Sequence, residues 1–496
     1  MKHIFTFTLL LACGFGLLAQ GAPKGYEIKI KVKGFQQKEA YLAYYFGDKQ
    51  YIKDTAQVTN GEFVFADPET RLPGGIYLVV LPPKNNYFEL MVDADQHFSF
   101  TTDTTDLAQK AVVSGCKENE VFYEDVRFLA SQRKIADDLN AKIKATPDTA
   151  LQAQYKKELQ AVDEKVKARR KQIMAEHPDL FYSKVLEALK EPEIPETPLT
   201  AEGKPDQNFQ FQYYRSHFFD YFDLGDPRLL RTPMYNQKVT TYLDRLTVKQ
   251  PDSIAKAADY LIGMGKDNSE TFQYLVVSIL NKYAESKVMG MDGVYVHMVE
   301  KYYMTGLATW TDPENLQKMI DRAQKLSPTL VGRPAKDFYA FNTQGGVTRM
   351  SEQKADWLIV YFWDYDCSHC KKVTPALAEA FKEFAAYPNV KLMTISINGD
   401  VNVWKTKLKE YGLDGLANTV NTQDHTRIGG FQGNYDILST PRIFVLDKEK
   451  KVYAKQIDVA TLKKILNHEL GIKTFEESEA EEAANGGGEE AEPDHE

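Results

Sequence analysis

Apolar and polar residues alternate from Tyr26 onward. Charged residues separate the apolar positions of this first run, which is the pattern of a strand that buries one face. The apolar positions are Tyr26, Ile28, Ile30 and Val32. Further short apolar runs lie at Ala40–Tyr45, Glu62–Phe65, Ile76–Leu81, Tyr87–Val92 and Phe98–Thr101. Turn signals such as Asn60-Gly61 separate these runs, so the pattern predicts an all-β sandwich, which we assign to residues 22–117.

The apolar period becomes helical at about Glu118 and stays so to about Leu326. One apolar stripe recurs at spacings of three and four residues, as on the packed face of a long helix. Its members are Leu151, Tyr155, Leu159, Val162 and Val166. The segment Glu191–Pro205 is rich in proline and threonine and predicts a loop between helical groups. Together these features predict an α-helical domain at residues 118–329.

An aromatic run, FQFQYYRSHFFDYFD, occupies Phe209–Asp223 within this helical region. A ligand-binding stripe is one interpretation of such a run. A core helix is the interpretation that we adopt, because an aromatic stripe needs only a partner surface to be buried. His217, which lies inside the run, is interpreted as a core residue for the same reason.

From Leu330 the strand and helix patterns alternate. Asp337–Met350 predicts a hairpin around Gln344-Gly345-Gly346, and Leu358–Trp363 is a continuous apolar run typical of a fully buried strand. The order that follows is helix 368–387, strand 390–397, helix 402–411, strands 442–446 and 452–455, and helix 461–470. This order predicts an α/β domain with a βαβ unit at residues 330–473.

Composition and charge exclude some classes of function. The chain has 496 residues, of which 43% are hydrophobic, enough for two or three domains. The formal charge is −9, but Glu476–Glu496 holds 10 acidic residues and no lysine or arginine, so the rest sums to −9 + 10 = +1. A near-neutral body argues against a nucleic-acid partner. The low-complexity stretch 474–496 predicts an acidic disordered tail.

The first 21 residues have the pattern of an export signal. Lys2 precedes a short apolar run, and Ala19-Gln20-Gly21 is a small-x-small cleavage site. The signal predicts an exported, periplasmic protein. A lipoprotein with Cys13 as its lipidated residue is the alternative, although leucine beside the small residue fits that pattern poorly. No later segment reaches the length of apolar sequence that a membrane span needs.

Three cysteines remain after the signal: Cys116, Cys367 and Cys370. So few cysteines argue against a disulfide-stabilised scaffold, and Cys116 is interpreted as a small buried apolar residue. Cys367 and Cys370 lie in DYDCSHCKK, where the first predicted strand of the α/β domain meets its first helix. A thiol reacts as its thiolate, which the positive end of a helix stabilises. Cys367 is therefore the predicted nucleophile, His369 adds positive charge when protonated, and Cys370 is the resolving thiol.

Other chemistries explain this pair less well. A zinc site needs four ligands, usually two such pairs, and here there is one pair with a solitary Cys116 and nine scattered histidines. A structural disulfide between Cys367 and Cys370 would close too small a loop to constrain the unfolded chain. We therefore predict redox chemistry at a CxxC beside a βαβ unit, with no metal and no cofactor.

The stretch WLIVYFWDYDCSHCKKVTPAL resembles the active-site segment of thioredoxin-fold proteins. LVGRPAKDFYAF and STPRIFVLD resemble the exported TlpA/ResA-type thiol-disulfide oxidoreductases, over about Leu330 to Lys473. The resemblance implies that Pro375 kinks the first helix and that Thr440-Pro441 is the cis-proline opposite the CxxC. Thr440 would then offer its backbone to a substrate peptide, and Pro441 would block metal capture. The upstream regions resemble β-rich and helical modules of unknown function found with such thioredoxins in Bacteroidota.

This sequence departs from the family pattern at proton-handling positions. Asp366 replaces the usual tryptophan before the first cysteine. Tyr361 stands where thioredoxins have a buried aspartate, and Val373 stands where ResA-like proteins have a glutamate. The resolving thiol therefore lacks an obvious base, and Asp364 and Asp366 are candidates on geometric grounds only.

The resulting hypothesis is a periplasmic thiol-disulfide oxidoreductase that exchanges disulfides with protein or small thiol substrates. A membrane redox partner would supply or accept electrons, and the upstream domains would present the site, recruit a partner or form a homo-oligomer. A non-catalytic envelope binding or scaffold protein with a drifted thioredoxin domain is the alternative. A thiol peroxidase is a third option, which would need a single peroxidatic cysteine in a different local setting.

Overall fold

The computed structural model describes residues 24–424, 428–435, 437 and 439–484, and within them the chain forms two compact units. The first unit contains the residues up to Tyr242 together with Met264–Thr271. The second contains Leu243–Gly263 and the residues from Phe272 onward. The predicted signal at residues 1–21, which includes Cys13, lies outside the described residues. The predicted limits 22–117, 118–329 and 330–473 stay predictions.

Eight strands open the first unit and form two four-stranded sheets. They are β1 (Tyr26–Lys33), β2 (Glu39–Phe46), β3 (Lys49–Gln57), β4 (Glu62–Asp67), β5 (Gly75–Leu81), β6 (Asn86–Val92), β7 (His97–Asp103) and β8 (Val112–Ser114). The sheet orders are β4-β1-β7-β8 and β3-β2-β5-β6. Phe88 of β6 stacks on Phe100 of β7 with ring centroids 4.5 Å apart, so the sheets face each other across an apolar core. The predicted all-β sandwich is confirmed.

Helices follow the sandwich. They are α1 (Lys117–Ala145), α2 (Thr149–Glu176), α3 (Phe181–Ala188), α4 (Phe209–Ser216), α5 (Pro227–Leu230) and α6 (Met234–Arg245). The Asp148 carboxylate caps α2 by accepting the backbone N–H groups of Ala150 and Leu151. The buried Glu118 carboxylate of α1 accepts the N–H groups of Phe181 and Tyr182 at 3.1 and 2.5 Å, so it caps α3 from another helix.

The aromatic run at 209–223 is not the core helix that its pattern predicts. Helix α4 ends at Ser216, and none of its residues is buried. The buried rings of the run come afterwards, at Phe218, Phe219 and Phe222. The His217 side chain is 38% exposed and its Nδ1 lies 2.6 Å from an Asp220 carboxylate oxygen, so the core interpretation of His217 is wrong. The chain leaves the helix before it reaches the core.

The second unit starts with further helices: α7 (Pro251–Gly265), α8 (Ser269–Ala284), α9 (Asp292–Met298) and α10 (Pro313–Leu326), of which α7 and α8 each have a few residues in the first unit. A π-helical turn at Val299–Tyr303 continues α9. Asp312 caps α10, and Pro313 occupies its first position, where a missing N–H costs nothing. The α-helical region that the sequence predicts is confirmed.

A seven-stranded sheet forms the rest of the second unit. Its strands are β9 (Tyr339–Asn342), β10 (Val347–Arg349), β11 (Trp357–Trp363), β12 (Val390–Ser396), β13 (Thr419–Gln423), β14 (Arg442–Leu446) and β15 (Val452–Lys455). Their order is β10-β9-β13-β12-β11-β14-β15, with β11, β12 and β13 mutually parallel. The helices are α11 (Ser368–Lys382), α12 (Val401–Glu410), α13 (Phe431–Asn434) and α14 (Val459–Glu469). The predicted α/β, thioredoxin-like fold is confirmed.

Within the predicted tail, α15 spans Phe475–Ala484. Thr474 and Glu477 form a capping box: the Thr474 hydroxyl accepts the Glu477 N–H, and the Glu477 carboxylate accepts the Thr474 N–H. The ring of Phe475 stacks on His468 of α14 at 4.4 Å between centroids. Residues 485–496 lie outside the described part, and the disordered tail at 474–496 stays a prediction.

Candidate active site

The two thiols lie where the central strand β11 meets α11. Cys367 is the N-cap residue of α11, with extended backbone angles of φ −67° and ψ 127°. Cys370 lies in the first turn and is fully buried at 0% exposure, whereas Cys367 is partly exposed. Both are free thiols. The strand buries the base of the site, and the helix presents its unpaired N–H groups to the outer sulfur.

Thr440 and Pro441 face the thiol pair from the start of β14. The Cys367 S–H donates to the Thr440 carbonyl oxygen at 3.3 Å. The Thr440–Pro441 peptide bond is cis, which is the geometry that the resemblance implies. The structure therefore brings Cys367, Cys370, Thr440 and Pro441 together.

The surroundings of Cys367 favour its thiolate. Burial acts to raise the pKa of this thiol, but hydrogen bonds outweigh burial and hold the pKa below the ordinary cysteine value. The groups that lower it are the backbone N–H and thiol of Cys370, the Thr440 side chain and the backbone N–H of His369. His369 thus acts on Cys367 through its main chain, and its imidazole is exposed.

Cys370 has the opposite character. Burial, with a smaller contribution from the neighbouring Cys367, raises the pKa of its thiol to about 12. The Asp364 N–H donates to the Cys370 sulfur at 3.4 Å and only partly offsets this effect. The surroundings therefore favour the reactive thiolate at Cys367 and the protonated thiol at Cys370.

The two carboxylates that the sequence offered as bases are engaged elsewhere. An Asp364 carboxylate oxygen accepts the Asp366 N–H at 2.7 Å, and Asp366 accepts from the Asn398 side chain at 3.4 Å. Asp364 contacts Cys370 through its backbone N–H, which is a donor and cannot take a proton. Neither carboxylate is placed by these contacts as the base for Cys370.

The other residues that the sequence singles out lie in both units. Pro375 lies inside α11, where it removes one helical hydrogen bond. Trp363 is fully buried in the same core cluster as Cys370, with its ring 5.9 Å from that of Tyr411. Cys116 is buried in the first unit, as predicted, and its sulfur lies 3.1 Å from the Asn119 side-chain nitrogen.

Sequence reasoning missed two groups near the thiols. Asn398, in the loop after β12, accepts the Tyr365 N–H at 3.1 Å and so ties the CxxC turn to that loop. The hydroxyls of Tyr361 and Thr374 lie 2.8 Å apart in the core. Tyr361 departs from the family pattern, but nothing in the sequence pairs it with a residue of the next helix.

Two further features concern the described part of the chain: groups that could bind a metal ion and helices that could cross a membrane. Across those residues, no group of three or more histidine, cysteine or acidic side chains could hold a metal ion. Nor does any helix among the same residues have the length and apolarity needed to cross a membrane.

We expect iodoacetamide to alkylate Cys367 of the reduced protein with an apparent pKa below the usual cysteine value of about 8.5. Because the folded pKa is lowered, the thiolate persists as the pH falls and disappears only below that folded value. Cys370 should stay unmodified across neutral pH. Peptide mass spectrometry at a series of pH values measures both rates, and denatured protein is the control. A Cys367 titration at or above the denatured value would contradict the lowered pKa.

A CxxC at the junction of a central parallel strand and a helix, in a sheet that continues into an antiparallel hairpin, defines a thioredoxin-like domain. Residues 331–455 match the AhpC/TSA family. Residues 26–122 match the domain of unknown function DUF4369, and residues 150–326 match the domain of unknown function DUF5106. The C-terminal region is thus a thioredoxin-like domain, and two modules of unknown function precede it, as the resemblance implied.

Solved structures of Bacteroidota proteins are similar to parts of this chain. A domain of a "possible thiol-disulfide isomerase" from Cytophaga hutchinsonii is 28% identical, with 30% of this chain and 99% of that chain covered and a TM-score of 0.27. A thioredoxin-like protein from Bacteroides caccae is 16% identical, covering 55% and 98%, with a TM-score of 0.39. A thiol-disulfide oxidoreductase from Bacteroides fragilis is 23% identical, covering 27% and 98%, with a TM-score of 0.25. No curated protein matches the chain.

Proposed function

We propose that this protein is a periplasmic thiol-disulfide oxidoreductase that exchanges disulfides with protein or small thiol substrates. The observation that carries the proposal is the division of roles within one CxxC. Cys367 is partly exposed with a lowered pKa, and Cys370 is buried with a raised one. Such a pair gives one attacking thiol and one resolving thiol.

The reaction balances as two successive thiol-disulfide exchanges. The Cys367 thiolate attacks a substrate disulfide, forms a mixed disulfide and releases one substrate sulfur as a thiolate, which takes up a proton. Cys370 then loses its proton and attacks the Cys367 sulfur, which breaks the mixed disulfide and releases the second substrate sulfur. The substrate disulfide gains two electrons, and the Cys367–Cys370 pair is oxidised. The reverse sequence would oxidise a dithiol substrate.

The partners follow from this chemistry and from the sequence. The signal pattern at residues 1–21 supports export to the periplasm, where a membrane redox partner would reset the thiol pair. Thr440, whose carbonyl already accepts the Cys367 S–H, would bind the substrate main chain after Cys367 reacts. The DUF4369 and DUF5106 modules would present the site, recruit a partner or form a homo-oligomer.

The full mature chain should reduce insulin disulfides when dithiothreitol supplies electrons. We expect Cys367→Ser to lower this activity to the uncatalysed background, because the only attacking thiolate is removed. Cys116→Ala is the matched control, since it removes the remaining mature cysteine outside the CxxC, and it should retain the activity. Turbidity from the released insulin chain measures the rate.

Two outcomes would replace the proposal with an alternative from the sequence. Equal activity of wild type and Cys367→Ser, together with no reversible Cys367–Cys370 disulfide in glutathione buffers, would favour the scaffold protein. Consumption of hydrogen peroxide by the wild type without any insulin reduction would favour the thiol peroxidase.

A further inference from the structure

The resolving thiol lies in a core that is almost entirely apolar. Cys370 packs within a cluster of buried side chains from β11, α11, α12, β14 and α14. Most of these side chains are hydrocarbon, and they include Leu377, Leu408, Ile443 and Leu466. A thiolate in such surroundings is poorly stabilised, which is why burial raises the pKa of this thiol.

Two hydroxyl groups lie together at the contact between β11 and α11, in addition to the polar groups of Tyr365, Tyr411, Trp363 and Trp404 in the same cluster. Tyr361 lies on the face of β11 that packs against α11, in the same cluster as Cys370. Thr374 lies four residues after Cys370 in α11, so the two side chains are neighbours on one helix face. Both hydroxyl-bearing residues are 0% exposed, and their oxygens are 2.8 Å apart.

One hydroxyl hydrogen of the Tyr361–Thr374 pair is not used in the hydrogen bond between them. Each hydroxyl carries one donor hydrogen, and a single hydrogen bond between the two oxygens uses one of them. Among the described residues, neither hydroxyl has a second hydrogen-bond partner. Whichever hydroxyl accepts within the pair keeps a hydrogen that can turn toward a developing negative charge.

The other polar or titratable groups that face Cys370 are few. Asp364 presents its backbone N–H, Thr440 its side chain, and Cys367 is the sulfur that Cys370 must attack. Tyr411, at the end of α12, has a pKa raised by burial and, to a smaller degree, by charge on Cys370. No carboxylate is among these groups, so hydrogen-bond donors are what stabilises the negative charge that deprotonation leaves on the Cys370 sulfur.

We propose that Tyr361 and Thr374 are positioning residues that stabilise the Cys370 thiolate in the resolving step by donating a hydrogen bond from their coupled hydroxyls. This inference rests on the proposed function. In the step itself, the Cys370 thiol gives its proton to solvent as the mixed disulfide opens. The new Cys367–Cys370 bond forms, and the bond from Cys367 to the substrate sulfur breaks with its electron pair going to that sulfur. The hydroxyl pair is unchanged at the end.

The test uses the full mature chain in its reduced form and dithionitrobenzoate as the probe. The first thionitrobenzoate released reports attack by Cys367, and the second reports attack by Cys370 on the mixed disulfide. We expect Tyr361→Phe and Thr374→Val each to slow the second release on the order of 10-fold near neutral pH, which is the loss of one hydrogen bond to a charged group. The pH midpoint of the second phase should move upward, while the first phase keeps its pH profile.

Matched variants separate this role from a structural one. Thr374→Ser keeps the hydroxyl and should retain the wild-type pH midpoint. Tyr435→Phe removes a buried hydroxyl that donates to the Lys336 carbonyl at 2.7 Å on the other face of the sheet, and it should leave both phases unchanged. The Tyr361→Phe/Thr374→Val double variant should be no slower than either single variant, because the pair acts as one unit.

Each result decides one question. An unshifted second-phase midpoint in both Tyr361→Phe and Thr374→Val would overturn the inference while leaving the proposed function intact. Failure of the wild type to release a second equivalent would instead overturn the proposed function. A Tyr361→Phe variant that fails to fold leaves Thr374→Val and Thr374→Ser to decide by the same midpoint.

Discussion

The Cys370→Ala variant is expected to accumulate as a covalent mixed disulfide with its substrate, joined through Cys367. In the wild type we expect this intermediate to be short-lived, because Cys370 lies in the same helical turn as the linked sulfur. Replacing that intramolecular attack by attack from dilute external thiols should slow release by roughly 10³-fold or more. Non-reducing electrophoresis of cell-envelope extracts, with mass spectrometry of the shifted bands, detects the complexes.

The controls for trapping come from the same pair of residues. Cys367→Ser/Cys370→Ala should give no shifted bands, and dithiothreitol should dissolve those of the single variant. Complexes that are equally abundant in the wild type and in Cys370→Ala would contradict the resolving role of Cys370. The trapped proteins would also identify the substrate class directly.

The second large effect concerns stability and the ion pair between Lys455 of β15 and Asp292 of α9. The Lys455 side chain is 7% exposed and the Asp292 side chain 23%, so Lys455 is the more deeply buried partner, although Oδ1 of Asp292 is itself buried without a hydrogen-bond partner among the described residues. Asp292→Ala should therefore destabilise the second unit by about 3 kcal/mol, because it leaves a buried charge unpaired. Lys455→Met should cost less, about 1 kcal/mol, since methionine keeps much of the alkyl packing and the Asp292 side chain is the more exposed of the two.

The burial of Cys370 provides the measurement. Because its thiol is 0% exposed, alkylation of Cys370 at increasing guanidinium concentrations reports opening of the thioredoxin-like domain. The Asp292→Ala/Lys455→Met double variant should be more stable than Asp292→Ala alone. Glu314→Ala, which breaks the exposed pair with Lys318 on α10, is the control and should not move the midpoint. A larger loss of unfolding free energy for Lys455→Met than for Asp292→Ala would contradict this prediction.

The sequence predicts those strands and helices in which apolar residues form an unbroken run or recur at a regular spacing. Strand β11 is an unbroken apolar run, and β1 alternates strictly, so each gives its period directly. Strand β13, with the sequence TVNTQ, carries no such signal. It forms because β12 and β9 lie on either side of it and supply hydrogen-bond partners, which is information from other parts of the chain. Strand β3 is missed for a related reason, since it is an exposed edge strand.

The same distinction holds in the site. The sequence predicts the CxxC, its position at a helix start and the Thr440-Pro441 segment. Each of these motifs is short, and the strand or helix that positions it lies next to it in the chain. The contact between Tyr361 and Thr374 joins a strand to a helix, and it depends on the packing distance between them. Likewise, the aromatic run at 209–223 satisfies a helical pattern, but the chain bends after Ser216 and buries only its second half. The spacing of apolar residues shows that a helix could have an apolar face, but it does not show which other part of the chain packs against that face.

The hydrogen bonds that surround Cys367 also set an energy balance between the two oxidation states. Donors that lower the pKa of this thiol stabilise the dithiol form at any pH above that pKa, and they have no thiolate to stabilise once the disulfide forms. Each pKa unit by which the folded thiol lies below the ambient pH shifts the reduction potential by ~30 mV toward the oxidising end. The same backbone N–H groups that activate the nucleophile therefore make this pair a weaker reductant and a better electron acceptor.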